Sequence, residues 1–250
     1  MRRILLAALV LAGGLILVRP AARADAPAAS FTAAQRAEIV EIVRQAMKTD
    51  PSILRDAVTA LEADEANIRE AAARLAIGKA EPVLTRSSGD PVAGNPNGDV
   101  TVVEFYDVRC PYCRRMRPVL AQLLHDDPNI RLVYKDIPIL GPASVLGAKA
   151  VLAAQRQGGY LRMHDLIMSD PPDVTEASLR AEAARAGLDW ARLRHDMDDP
   201  AIARRISANL DLAHALGIDG TPAYVIGAKL LPGAVELSDL QEAVAAARAK

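Results

Sequence analysis

Two cysteines occur in the 250 residues of this chain, and they stand three positions apart, in Cys110-Pro111-Tyr112-Cys113. A disulfide stabilises a fold mainly by closing a long loop, so a bridge across two intervening residues staples almost nothing. The pair points instead to redox chemistry or metal capture. Its surroundings narrow what the chain can fold into. Residues 100–108 are β-branched and aromatic over the length of a strand, and 114–125 read as a helix. The cysteines therefore lie where a strand hands over to a helix. Unpaired backbone N–H groups and the helix dipole favour negative charge there, and Pro111 takes the first-turn backbone without wasting a donor. The thiolate is the species that attacks a disulfide, and a thiol of ordinary pKa about 8.5 gains from being lowered. Cys110 is the predicted nucleophile. Cys113, one turn into the helix, is the predicted resolver, attacking the mixed disulfide from within.

Metal capture is the rival chemistry. A structural zinc site needs four ligands, and the chain has no second cysteine pair. His125, His164, His195 and His214 are dispersed through helical stretches and are expected to be surface or packing residues. Monovalent copper accepts two thiolates alone, so a copper-binding or copper-tolerance protein stands as the alternative to an enzyme.

Met1-Arg2-Arg3, an apolar stretch over 4–18 and Ala22-Arg23-Ala24 have the form of a secretory signal peptide, residues 1–24, cleaved after Ala24 or Ala26. The apolar stretch is shorter than the roughly 20 residues that span a bilayer. The mature protein is expected in an oxidising compartment, most simply a bacterial periplasm. A net charge of -1 and 3% aromatic residues offer neither a basic face nor stacking platforms, so no nucleic-acid partner is expected.

Beyond the leader, residues 31–79 read as a helical arm. Thr32 is placed to cap a first helix running to about Lys48, and Asp50-Pro51 marks the restart. Leu54, Val58, Leu61, Ile68, Ala72 and Leu75 form a heptad stripe when the acidic Glu65 is counted in the seam. Two readings stand open: a self-association arm, or an amphipathic helix lying on its own catalytic domain. Residues 81–98 read as a connector and turn. The core then follows as strand 100–108, the helix after the cysteines, a strand over 131–137 and a helical block over about 143–216. A hairpin at 223–226 and 229–231 leads to a last helix capped by Ser238. This order is α/β, with a helical insertion between the second and third core strands.

Phe105-Tyr106-Asp107-Val108-Arg109-Cys110-Pro111-Tyr112-Cys113 resembles the first signature of the DsbA-like thioredoxin superfamily, and Gly220-Thr221-Pro222-Ala223 resembles its second, about 110 residues on. The resemblance covers 94–250 and is closest to the ScsC-like periplasmic group, which likewise carries a helical N-terminal extension. It implies a thioredoxin-like fold with an inserted helical domain, and thiol–disulfide exchange with exported cysteine-containing proteins without a cofactor. It also implies a membrane thiol-relay as redox partner. Pro222 is implied to follow a cis peptide bond beside the sulfurs, with the backbone of Thr221 pairing with an extended substrate. Tyr112 and Pro111 are implied to line the substrate surface. Glu104, inside an apolar strand, sits where related oxidoreductases keep a buried acid; such a group takes the proton of Cys113, the alternative being a solvent-facing edge residue. Asp107 is expected as a turn or cap acceptor. Oxidase, isomerase and reductase remain open, because direction depends on potential against the compartment.

Overall fold

The computed structural model describes residues 31–169 and 173–249, so the predicted leader and the Asp170-Pro171-Pro172 break lie outside the described residues. Helix α1 (Ala33–Thr49) begins with a capping box between Thr32 and Gln35, and α2 (Ser52–Thr85) begins where the Asp50 carboxylate accepts from the Ser52 N–H at 3.0 Å. The chain divides into two compact units between Thr59 and Ala60. In the first, α1 buries no residue.

The second unit is built on a five-stranded sheet of β1 (Val92–Gly94), β2 (Val100–Tyr106), β3 (Ile130–Asp136), β4 (Ala223–Ile226) and β5 (Lys229–Pro232), in the order β1-β3-β2-β4-β5. Only β2 and β3 run parallel. Both faces of β2 are covered, which is why it reads as an unbroken apolar run rather than an alternating one. Val102 and Tyr106 pack with α3 (Pro111–Asp126), α9 (Leu237–Arg248) and the inserted helices. Val103 and Phe105 pack on the other face with Ile77 and Leu84 of α2 and with Ala213 of the helix over Pro200–Ala215. The insertion comprises α4 (Pro142–Gln155), α5 (Tyr160–Ser169), α6 (Glu176–Arg185), α7 (Trp190–Met197) and α8 (Pro200–Ala215). Helix α4 is buried nearly all round, and Gly147 lets it approach the active-site turn, since a Cβ there would meet the Val108 side chain.

Three expectations need correction. The helix expected to end near residue 79 continues through Pro82 to Thr85. Three of its closing carbonyls find side-chain donors: Thr85 Oγ1 donates to Glu81 O, Lys135 Nζ to Val83 O and Arg131 to Thr85 O. That satisfaction and the burial of Leu84 outweigh the proline. The stretch expected as a plain connector contains β1, an edge strand ending at Gly94, whose φ of 70° and close approach to the Ile130 carbonyl suit glycine alone. It also contains Asp90, buried in an ion pair with Lys135 at 2.6 Å. Finally, Glu236 and Asp239 form the capping box of α9, and Ser238 lies inside its first turn.

Candidate active site

Cys110 is the N-cap of α3, with Pro111 at the first helical position. The Cys110 N–H donates to the Asp107 carbonyl at 3.0 Å, closing the turn between β2 and the helix. The side chain of Asp107 does more than close that turn. One carboxylate oxygen accepts from Arg109 N, and the other accepts from Ile139 N at 2.8 Å and Leu140 N at 3.0 Å. Asp107 thus pins the loop after β3 beside the cysteines, leaving Ile139 and Leu140 exposed there. Sequence spacing gave no sign of this long-range role.

The peptide before Pro222 is cis, and it brings the Thr221 carbonyl oxygen to 3.2 Å from Cys110 Sγ, where the thiol donates to it. Both cysteines are reduced and buried. In the thiolate form the Cys113 thiol is the strongest donor to Cys110, joined by the Thr221 side chain and by the N–H groups of Cys113 and Tyr112. Together these bring the Cys110 pKa down to about 5 although burial pushes it up. Cys113 moves the other way, raised first by its bond to the Cys110 sulfur, then by burial and by the charge of Glu104. The two thiols are thus strongly unequal. Tyr112 is 54% exposed, with the Arg115 guanidinium 4.8 Å over its ring, and Pro111 is also exposed.

Glu104 is 3% exposed on a central strand, so the edge-residue reading falls. Its register partners are Tyr134 on β3 and Tyr224 on β4, and Tyr224 donates to its carboxylate at 3.2 Å. Burial lifts Glu104 to about 8, against the Tyr224 hydrogen bond and with help from the charges of Cys110 and Asp136. Asp136 is a second buried acid, held by the hydroxyls of Tyr106 at 2.7 Å and Tyr160 at 3.1 Å and lifted by burial to about 7. Local sequence gives no sign of it, because Tyr160 arrives from the insertion, 24 residues along the chain. Among the described residues no group of three or more His, Cys, Asp or Glu side chains is arranged to hold a metal ion. The sulfurs face a backbone carbonyl and hydrogen-bond donors, an arrangement suited to making and breaking an S–S bond.

The chain is similar to several known proteins. A thioredoxin-like oxidoreductase from Silicibacter pomeroyi is 44% identical, with a TM-score of 0.66 over 68% of this chain and 98% of that one. ScsC of Proteus mirabilis in a transitional conformation is 29% identical, with a TM-score of 0.64 over 88% of this chain and 98% of that one. A Na(+)/H(+) antiporter NhaA 1 of Salinispora arenicola is 34% identical over 160 residues, 63% of this chain, and the chain spans only 24% of that protein's length. Residues 101–245, which hold the cysteine pair, the insertion and the cis-proline, match the DSBA-like thioredoxin domain, and the chain belongs to that family of thiol–disulfide oxidoreductases.

Proposed function

We propose that the chain is a periplasmic thiol–disulfide oxidoreductase that exchanges disulfides with exported proteins. Cys110 is the nucleophile, Cys113 the resolver and Glu104 the acceptor of the Cys113 proton. The cis-Pro222 wall, with Thr221, Tyr112 and Pro111, is the surface that receives the partner. The observation that carries this reading is the inequality of the two thiols at one helix N-terminus. Thr221 O, which accepts from the Cys110 thiol at 3.2 Å, loses that donor when Cys110 ionises and is then open to an extended partner chain.

The same inequality bears on direction. A stabilised thiolate favours the reduced form, raising the potential by about 30 mV per 1.4 kcal/mol. That suits an electron acceptor, or an isomerase that rests as a dithiol, and works against a net reductant. The sign is fixed by the shift. A thiol brought from 9.0 to about 5 by folding stabilises the reduced folded chain fully above pH 9, and that stabilisation is lost as pH falls toward 5. Thiolate absorbance is expected to titrate near pH 5, and the reduced form is expected to unfold at higher denaturant than the oxidised form at pH 7, with the gap closing below pH 5. A Cys110 titrating near 8.5, with a potential like that of a reductase, sinks this direction.

The arm supports a second expectation. Leu54, Val58, Leu61, Ile68 and Leu75 are each 47–69% exposed along one stripe of α2. We assign this stripe to pairing with further copies of the chain, through heptad packing. Sedimentation is expected to give a multiple of the chain mass. Glutamates at Leu54, Leu61 and Ile68 are expected to give a monomer with an unchanged Cys110 titration; a monomeric unsubstituted protein at micromolar concentration rejects the assignment.

A further inference from the structure

Glu104 cannot act as a proton acceptor without a way to exchange that proton, and its carboxyl has almost no contact with bulk water. A cavity of about 380 Å³ lies beneath α3. Glu104 and Cys113 line its inner part together with Tyr134 and His164, and exposed Pro118, Ala121, Leu161 and Asp165 line its outer part. The volume holds on the order of ten waters, and polar groups are spaced along it. Tyr134 is the register partner of Glu104, and its ring centroid lies 4.8 Å from that of His164. His164 is 3% exposed, and its Nδ1 lies 3.4 Å from the carboxylate of Asp165, which also receives Arg117 at 3.2 Å. With Nδ1 donating to Asp165, Nε2 is an acceptor, and among the described residues this buried atom has no hydrogen-bond partner. Leaving a buried imidazole nitrogen without a partner is costly unless water reaches it.

We propose that this cavity is the proton route of the active site, and that His164, assisted by Tyr134, relays the proton between Glu104 and solvent as a positioning residue acting through Glu104. The inference rests on the role of Glu104 given above. In the resolving step the Cys113 thiol gives its proton to the Glu104 carboxylate. The Cys113 thiolate attacks the Cys110 sulfur of the mixed disulfide, the Cys110–Cys113 bond forms, and the partner leaves as a thiolate with the electron pair. The proton on Glu104 passes through cavity water and His164 to the outside. Glu104, lifted to about 8, holds a proton at neutral pH until one is carried away, so the route is used in every cycle. His164, with its pKa lowered by burial, is neutral and able to both accept and donate. The groups facing Glu104 are Cys110 and Cys113 of α3, Tyr134 and Asp136 of β3 and Tyr224 of β4. Those facing His164 are Asp165 and Tyr160 of α5, Arg117 of α3, Tyr106 of β2 and Tyr134 of β3.

The test follows glutathione release from the Cys110–glutathione mixed disulfide of the full protein by stopped flow, across pH 5–9, in H2O and D2O. His164→Leu is expected to slow release by about tenfold at pH 7, less than the roughly hundredfold or more of a group that exchanges its proton with the reacting atoms, because His164 acts through Glu104. It is also expected to enlarge the solvent isotope effect and leave the Cys110 titration in place. Added imidazole, small enough for the cavity, is expected to restore the rate, as repair of packing alone would not. Glu104→Gln is expected to slow release without imidazole rescue. If His164→Leu loses its fold by circular dichroism, His164→Gln and Tyr134→Phe carry the same expectations for rate and isotope effect, without the imidazole rescue. Normal release and isotope effect in the folded His164 and Tyr134 variants, with Glu104→Gln slow, overturn the relay and leave the Glu104 role standing. Normal release in Glu104→Gln overturns that role and the route with it.

Discussion

Cys110→Ser is expected to bring thiol–disulfide exchange down to the uncatalysed background, a loss of at least about a thousandfold, or ~4 kcal/mol of barrier. The substitution leaves the α3 N-terminus, the Thr221 carbonyl and the cis-Pro222 wall in place and removes only the ionisable sulfur. A serine hydroxyl stays protonated at every pH at which the protein is folded, so none of the donors that hold the Cys110 thiolate near 5 has an anion to act on. Cys113→Ser separates the two roles. Attack proceeds, resolution does not, and the mixed disulfide accumulates as a mass adduct on Cys110. Cys113→Ala adds a control on electrostatics. The Cys113 side chain is the largest contributor to the lowered Cys110 pKa, so alanine is expected to move the Cys110 titration upward, whereas serine, still a donor, holds it low. Refolding of a scrambled disulfide substrate and mass spectrometry of trapped adducts check all three. Substantial activity in Cys110→Ser sinks the mechanism.

The cysteine pair, the strand before it and the helix after it were legible in the sequence because their physics is local: spacing, a proline at the first turn, an apolar run of strand length. The α/β order with a helical insertion was legible for the same reason, and the resemblance supplied the cis peptide at Pro222. What was hidden depends on the packing of distant segments. Nothing near His164 indicates that a cavity joins it to Glu104, 60 residues earlier. Asp107 looks like a local turn acceptor, and half of its bonds go to residues more than 30 positions away. The end of α2 is hidden because proline argues for a stop, while the lysine and arginine that donate to its last carbonyls lie on β3. The Glu236 cap of α9 is masked by the nearby Ser238, one of the residue types favoured at that position.

Asp90 shows how far a residue in an expected connector can matter to stability. Its side chain is 4% exposed, bonded to Lys135 at 2.6 Å and to Arg205 at 3.1 Å, and Lys135 is itself 2% exposed on the covered face of β3. Burial is the largest influence on Asp90 and raises its pKa in spite of both cations, so the attraction does not recover the whole cost of removing the carboxylate from water. Two opposite results follow from that balance. Asp90→Ala leaves a buried ammonium with only the Val83 carbonyl, and is expected to cost about 3–5 kcal/mol, read as a lower urea midpoint at unchanged slope. The apolar pair Asp90→Leu with Lys135→Met removes both charges and is expected to recover most of that loss, to within about 1–2 kcal/mol of the unsubstituted protein. Lys135→Met alone falls between, because Arg205 is 28% exposed and still reaches the carboxylate. Its deficit has a definite pH sign: a carboxyl raised above its ordinary 3.8 penalises folding at neutral pH, and the penalty fades as pH falls toward 4 and the group takes a proton. A cost below about 1 kcal/mol for Asp90→Ala, the range of a solvated surface pair, rejects this account of how the end of α2 is fastened to the sheet.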